Sequence, residues 1–331
     1  MDRPKTLFVA LTFAALALYP LVAGSFGIDL VTKTMIYAIF ALSLELLVGG
    51  TGLVCFGHAA FFGVGAYSLV LLSSSIGSAS LWWLLPCCVL AAAAYALFVG
   101  SLSLRTRGVY FIMVTLAFAQ MAYYVAHDTP LGGGTDGIYL TLAPILGGLD
   151  LSRSPAVYAF TLVCLATVFG FLALLLRSRF GRALTGIRIN EQRMRATGFS
   201  TYGYKLAAFV ISGALAGLAG ALFALKDGYV NPELMGWHLS GAVLIMVILG
   251  GIGHLRGALI GAFAFALLQE LFQSEAIFGG FAKHWHLGLG LAIIASVALL
   301  PRGLVGVPAQ LRERLLGFKA TPLAEISDAV A

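Results

Sequence analysis

Charge is what this sequence most conspicuously lacks: Asp, Glu, Lys and Arg make up 10% of its 331 residues, while 60% are hydrophobic. Soluble domains carry about 25% charged residues, and with a mean hydropathy of +0.97 a water-soluble globular class is excluded and an integral membrane protein is implied. Cysteine is scarce too. The four (Cys55, Cys87, Cys88, Cys164) fall in or beside apolar runs without metal-ligand spacing, so they read as small packing residues, and neither a disulfide framework nor a metal site is implied. Gly-x-x-x-x-Gly-Lys-Ser/Thr is missing, so the chain has no loop of the usual kind for nucleotide phosphates, and His-Glu-x-x-His and Gly-x-Ser-x-Gly are missing as well. No catalytic residue and no cofactor site emerges. Pro- or Ser-rich linkers and low-complexity tracts do not occur, which leaves one membrane domain over 1–305 and a short tail at 306–331.

What is present is a series of apolar runs. A bilayer core of ~30 Å takes about 20 apolar residues per helix, and ten such runs lie near 7–24, 30–48, 57–74, 81–103, 109–126, 156–176, 206–225, 240–253, 258–274 and 285–300. The expected fold is all-α, with about ten transmembrane helices and both termini cytoplasmic. The run at 240–253 is short and glycine-blurred, which leaves nine spans or a re-entrant segment open. Continuous rather than alternating apolarity excludes a spanning barrel. The first run, behind Arg3 and Lys5, has some features of a signal peptide; its length and the charge balance favour a retained helix.

Crossing ten times from inside, sixteen of the 20 Lys and Arg fall on the cytoplasmic side: Arg3, Lys5, Arg105, Arg107, seven between 177 and 205, Arg256, Arg302, Arg312, Arg314 and Lys319. Only Lys33, Arg153, Lys226 and Lys283 fall outside, as the positive-inside rule requires. The net charge of +6 therefore reports topology, and nucleic acid is excluded as a partner because no aromatic stripe interleaves the basic residues.

The largest basic loop, 177–205, sets Arg177, Arg179, Arg182, Arg188, Arg193, Arg195 and Lys205 against a single acid, Glu191. Within it Asn190 can cap a short helix over 191–197, and Gly198 supplies a left-handed stop. Glu191 in the first turn, and Arg193 and Arg195 towards the end, suit the helix dipole. Met194, Ala196 and Phe199 offer an apolar patch suited to a cleft on a soluble partner; a helix lying on anionic membrane lipid is the other reading. Polar residues inside apolar runs are functional candidates because hydrocarbon penalises them. Glu45, His58 and Gln120 qualify as candidates for a pathway, each with a structural alternative: a carboxylate at the inner interface, a helix-start hydrogen bonder, and interhelical glue. Glu270, three residues from Gln273, reads as a solvated helix end. On the outer side, Gly133, Gly134, Thr135 and Asp136 lie in a backbone-permissive stretch that is either an ordinary turn or a lip of the path. Gly213 with Gly217, and Ala216 with Gly220, have the spacing that lets membrane helices approach closely.

Five stretches then resemble one family. They are 41–52 (ALSLELLVGGTG) with 57–67 (GHAAFFGVGAY); 107–111 (RGVYF) through 115–118 (TLAF); 133–137 (GGTDG); 180–184 (FGRAL) through 187–191 (IRINE) and Gly198 to 212–221 (SGALAGLAGA); and 249–254 (LGGIGH) with Gly257 and Gly261. In order and spacing the chain resembles the permease subunits of branched-chain amino acid ABC importers, of the LivM type. The resemblance implies a multi-pass inner (plasma) membrane protein, a second homologous permease as heterodimer partner, two ATP-binding subunits that hydrolyse ATP, a periplasmic or surface substrate-binding protein, and a branched-chain or other hydrophobic amino acid as substrate. It also implies that Asn190, Glu191, Arg193, Met194, Arg195, Ala196 and Gly198 form the helix that couples to the ATPases. Two departures, Glu45 where the family often has Asn, and His254 with Arg256 in the Gly-Gly-x-Gly loop, bear on the substrate, since similar permeases carry urea, short amides or aromatic acids. An ion-coupled secondary transporter is the reading from another class, and the near absence of midplane charge argues against it.

Overall fold

The computed structural model describes residues 3–76, 80–141, 145–146, 149–150, 154–274, 278–300 and 303–307. Most of the tail expected at 306–331 lies outside them. The described chain is all-α apart from four two-residue strands. In chain order the helices are α1 (Arg3–Leu18), α2 (Ser25–Thr51), α3 (His58–Ile76), α4 (Leu81–Ser103), α5 (Val109–Asp128), α6 (Ser154–Arg177), α7 (Arg179–Ile189), α8 (Glu191–Ala196), α9 (Thr201–Asp227), α10 (Trp237–Gly250), α11 (Leu255–Gln273) and α12 (Trp285–Leu299).

Six of these, α2, α4, α5, α6, α9 and α11, are long and apolar enough to cross a membrane; four shorter apolar helices cover 10–21, 58–74, 237–250 and 285–299. Each of the ten apolar runs therefore contains a helix, but their boundaries move. Helix α2 begins at Ser25, five residues before its apolar run, because Asp29 and Lys33 lie on its first turns without interrupting them. Helix α10 runs from Trp237 to Gly250, ahead of the expected 240–253, because positive φ at Gly251 and Gly253 (112° and 91°) ends it.

Helix α2 is apolar on all sides and buried nearly throughout, enclosed by α6, α9, α10 and α11. A uniformly apolar helix must lie either in a protein core or against lipid; α2 takes the first solution, and α5 and α6, with many large exposed apolar residues, suit the second. Lipid tails are as apolar as Leu, so close packing rather than hydrophobicity has to hold membrane helices together. The glycines expected to allow this do so. A Cβ on Gly217 of α9 would come within 2.2 Å of the Ala92 side chain of α4, and one on Gly220 within 1.8 Å of the Phe62 carbonyl. Gly65 of α3, which sequence reading did not single out, packs as closely, a Cβ there falling 2.1 Å from the Gly217 carbonyl.

The connections collect at two ends. At one, the end of α2, the basic segment α7–α8, the α10–α11 turn and Gly303 come together. At the other, Lys226 at the end of α9 lies 3.0 Å from Asp29 of α2, and strand β1 (Ile138–Tyr139) pairs antiparallel with β4 (Tyr229–Val230). The further strands β2 (Ile145–Leu146) and β3 (Leu149–Asp150) pair with each other. Such short strands carry too little alternation to stand out in the sequence.

Candidate functional site

The basic segment holds more structure than its sequence suggests. Ser178 caps α7, accepting from the Gly181 N–H at 3.4 Å, and Gly181, Ala183, Leu184 and Ile187 form the buried face of that helix against α2, α6 and α9. Sequence reading missed α7, although Ala183, Leu184 and Ile187 have the spacing of an amphipathic helix. Asn190 then caps α8 as expected, its Oδ1 accepting from Arg193 N–H at 2.9 Å, and Gly198 takes φ +87° beyond it.

Glu191 does more than face the helix dipole. Its Oε1 lies 2.6 Å from Arg195 Nη2, and its Oε2 2.5 Å from Nζ of Lys205, on the second turn of α9. The Thr201 hydroxyl donates to Oε1 at 3.1 Å and accepts from Arg195 Nε at 2.9 Å. Partial burial pushes the Glu191 carboxyl upward, but the Lys205 ammonium, the Thr201 hydroxyl and the Arg195 guanidinium outweigh it and hold the carboxyl below its ordinary value. Helix α8 is thereby braced onto α9. Met194 is half-buried against Gly186 of α7, while Ala196 and Phe199 remain exposed. The apolar patch expected here is thus divided: one member packs inward and two face solvent.

At the opposite end a cleft of about 980 Å³ opens between α2, α5, α10, α11 and α12. Leu239, Ala242, Met246, Phe265 and Leu289 give it an apolar floor; Lys33, Glu233, Glu270, His238 and His286 place both signs of charge around it, with Tyr37, Trp237 and Trp285 between. The lining therefore combines apolar side chains with one lysine and two carboxylates. Of the pathway candidates only Gln120 lines this cleft; Glu270 and Gln273, expected as a solvated helix end, also belong to it. Most of these polar residues sit on helix ends, where sequence reading assigns them to solvent.

Glu45 and His58 lie elsewhere, in the packed interior, 2% and 0% exposed. The imidazole of His58 stacks on Phe40, centroids 5.3 Å apart, and meets Phe61 edge-on. The Ser43 hydroxyl donates to the Phe40 carbonyl at 2.7 Å and lies 2.8 Å from His58 Nε2, which assigns the ring proton to Nε2. The Ser212 hydroxyl donates to the Ser43 carbonyl, and Ser240 accepts the Ala59 N–H at 2.9 Å, so this polar knot ties α2, α3, α9 and α10 together. Glu45 Oε1 accepts the Gly253 N–H of the α10–α11 turn at 2.6 Å.

The stretch Gly133, Gly134, Thr135 and Asp136 lies at the cleft's end of the molecule. Gly133 and Gly134 have φ of +74° and +65°, and the Tyr229 hydroxyl donates to the Asp136 carbonyl at 3.0 Å. This loop is held down on the α9–α10 connection. Among the described residues no group of three or more His, Cys, Asp or Glu could hold a metal.

Comparison with known proteins gives a consistent result. The family profile described as branched-chain amino acid transport system, permease component, matches residues 26–297. The high-affinity branched-chain amino acid transport system permease protein LivM of Escherichia coli K12 is 32% identical over 327 residues, covering 92% of this chain and 75% of that protein. BraD of Pseudomonas aeruginosa, described in the same terms, is 25% identical over 82% of this chain and 92% of its own. LivH of Escherichia coli K12, a permease of the same transport system by name, is 22% identical over 84% of this chain and 94% of its own.

Proposed function

Because the chain belongs to the branched-chain amino acid transport permease family, we propose that it is the membrane subunit of an ATP-driven importer whose substrate is a branched-chain or similar hydrophobic amino acid. It crosses the plasma membrane ten times with both termini in the cytoplasm, pairs with a second homologous permease, and lines half of the path. Two ATP-binding subunits dock on helix α8 and hydrolyse the ATP, and a substrate-binding protein delivers the amino acid on the outside. LivM-like and LivH-like permeases are both similar to this chain, which supports a paired arrangement.

The observation that carries this reading is the placement of two features at opposite ends of one bundle. The mixed-charge cleft is at one end, and the capped helix α8, braced by Glu191, Lys205 and Arg195, is at the other. The excess of Lys and Arg at the α8 end supports a cytoplasmic location for it. In this reading the side chain of the substrate passes over Leu239, Met246 and Phe265 while Lys33 and Glu233 or Glu270 attend its carboxylate and ammonium, and Gln120 contacts it on the α5 side. His58 and Glu45 hold the helices that frame the path. Residues Gly133, Gly134, Thr135 and Asp136 form its outer lip. Closure of the ATPases displaces α8, which moves α9 with it, a rigid-element switch.

Purification of this chain from detergent-solubilised native membranes, with partners identified by mass spectrometry, tests the assembly. Recovery of a second permease and two nucleotide-binding chains is expected. Recovery of this chain alone, with uptake that follows the proton gradient, overturns the proposal.

A further inference from the structure

We propose that Arg188 and Glu45 are positioning residues that carry motion of the basic segment into the end of α2 and the α10–α11 turn. This rests on the ATP-driven reading above, and the three elements meet at one point. Arg188 follows Ile187, the last buried residue of α7, and its Nη1 donates to the Gly49 carbonyl in the last turn of α2. Carbonyls in a last turn have no intrahelical donor. Those of Leu47 and Val48 are taken by Leu53 and Gly52 N–H; the guanidinium takes that of Gly49 and places a cation at the negative end of the helix.

Four residues earlier on α2, the Glu45 carboxylate folds down across Gly49. A Cβ at position 49 would come within 2.0 Å of Glu45 Oε1, so glycine there is what admits the carboxylate. That oxygen holds the Gly253 N–H at 2.6 Å, and the Arg188 guanidinium flanks Gly253, with Nη1 3.5 Å from where a Cβ would stand. On its other side the α10–α11 turn is contacted by Gly303, where a Cβ would lie 2.5 Å from Gly251. The backbone of His254, next along the same turn, also faces the Glu45 carboxyl. Helix α7 thus grips α2 through Arg188, α2 grips the α10–α11 turn through Glu45, and α10 and α11 form the inner walls of the cleft at the far end.

The test uses the complete complex with its partner subunits in proteoliposomes, reading ATP hydrolysis and amino acid uptake in the same sample. For Arg188→Ala, basal hydrolysis persists and amino acid moved per ATP falls about tenfold, within the ordinary range of coupling free energies. Glu45→Ala lowers the same ratio, and Glu45→Gln, which keeps an acceptor for the Gly253 N–H, restores it. An unchanged ratio in Arg188→Ala, or equal loss in Glu45→Gln and Glu45→Ala, overturns the inference. Should Arg188→Ala fail to assemble, the Glu45 pair alone decides between these outcomes. ATP-independent uptake by the unmodified complex would instead bring down the importer reading, and this inference with it.

Discussion

Lys205 Nζ stands 2.5 Å from Glu191 Oε2, so a contact between residues fourteen apart fastens the short helix α8 to the start of the long helix α9. Six residues cannot sustain an isolated helix in water. The Asn190 cap and the Glu191 network are what keep α8 in place, and they make it a part of α9 rather than a loose loop.

Replacing Glu191 by Ala removes both ion pairs at once. The network is partly solvated, so the loss is about 1 kcal/mol of local attachment. Limited proteolysis of the 190–200 region in membrane vesicles is expected to accelerate while the rest of the protein stays resistant.

The same carboxylate sets a pH response. Its folded-state value lies below the ordinary one, so its contribution is fully present above the ordinary carboxylate range. That contribution is lost as pH falls through the folded value. Protease resistance of the 190–200 region is therefore flat from pH 8 down to about 5 and declines only in more acidic buffer, and the decline is absent in Glu191→Gln.

Ala196 is exposed on α8. Ala196→Trp should leave the protein inserted and as heat-stable as the parent, yet abolish substrate-stimulated ATP hydrolysis by blocking the docking face. Stimulated hydrolysis at the parental rate would remove α8 from the docking surface.

In the cleft, Ala242→Trp fills the apolar floor beside Met246 and should stop uptake without loss of expressed protein. Gln120→Leu removes a polar contact only; a rise in the substrate concentration needed for half-maximal uptake is expected, with hydrolysis retained.

Gly65→Val forces a side chain against the Gly217 backbone. Overpacking of this kind costs about 1–3 kcal/mol, and a lower melting temperature in detergent is the expected readout.

The sequence displayed the membrane class, an apolar helix in each of the ten runs, of which six among the described residues are of membrane length, the Asn190 cap and the close-packing glycines, because each follows from local composition or spacing. Helix α7 was hidden because its basic residues dominate the segment and its apolar face is only a few residues wide. The partners of Glu191 beyond its own helix were also hidden, since nothing local places Lys205 beside it. The cleft was legible only at Gln120: Lys33, Glu233 and Glu270 come from three separate helix ends, and only tertiary packing gathers them. Glu45 stood out as a charge in an apolar run, but its hydrogen bond to Gly253 spans 208 residues.

The most direct test of the importer reading is uptake of radiolabelled leucine by proteoliposomes that hold the purified complex, with ATP or ADP enclosed and the substrate-binding protein outside. Accumulation with ATP and none with ADP is the predicted result. Equal uptake with either nucleotide, or uptake that follows an imposed proton gradient, would contradict it.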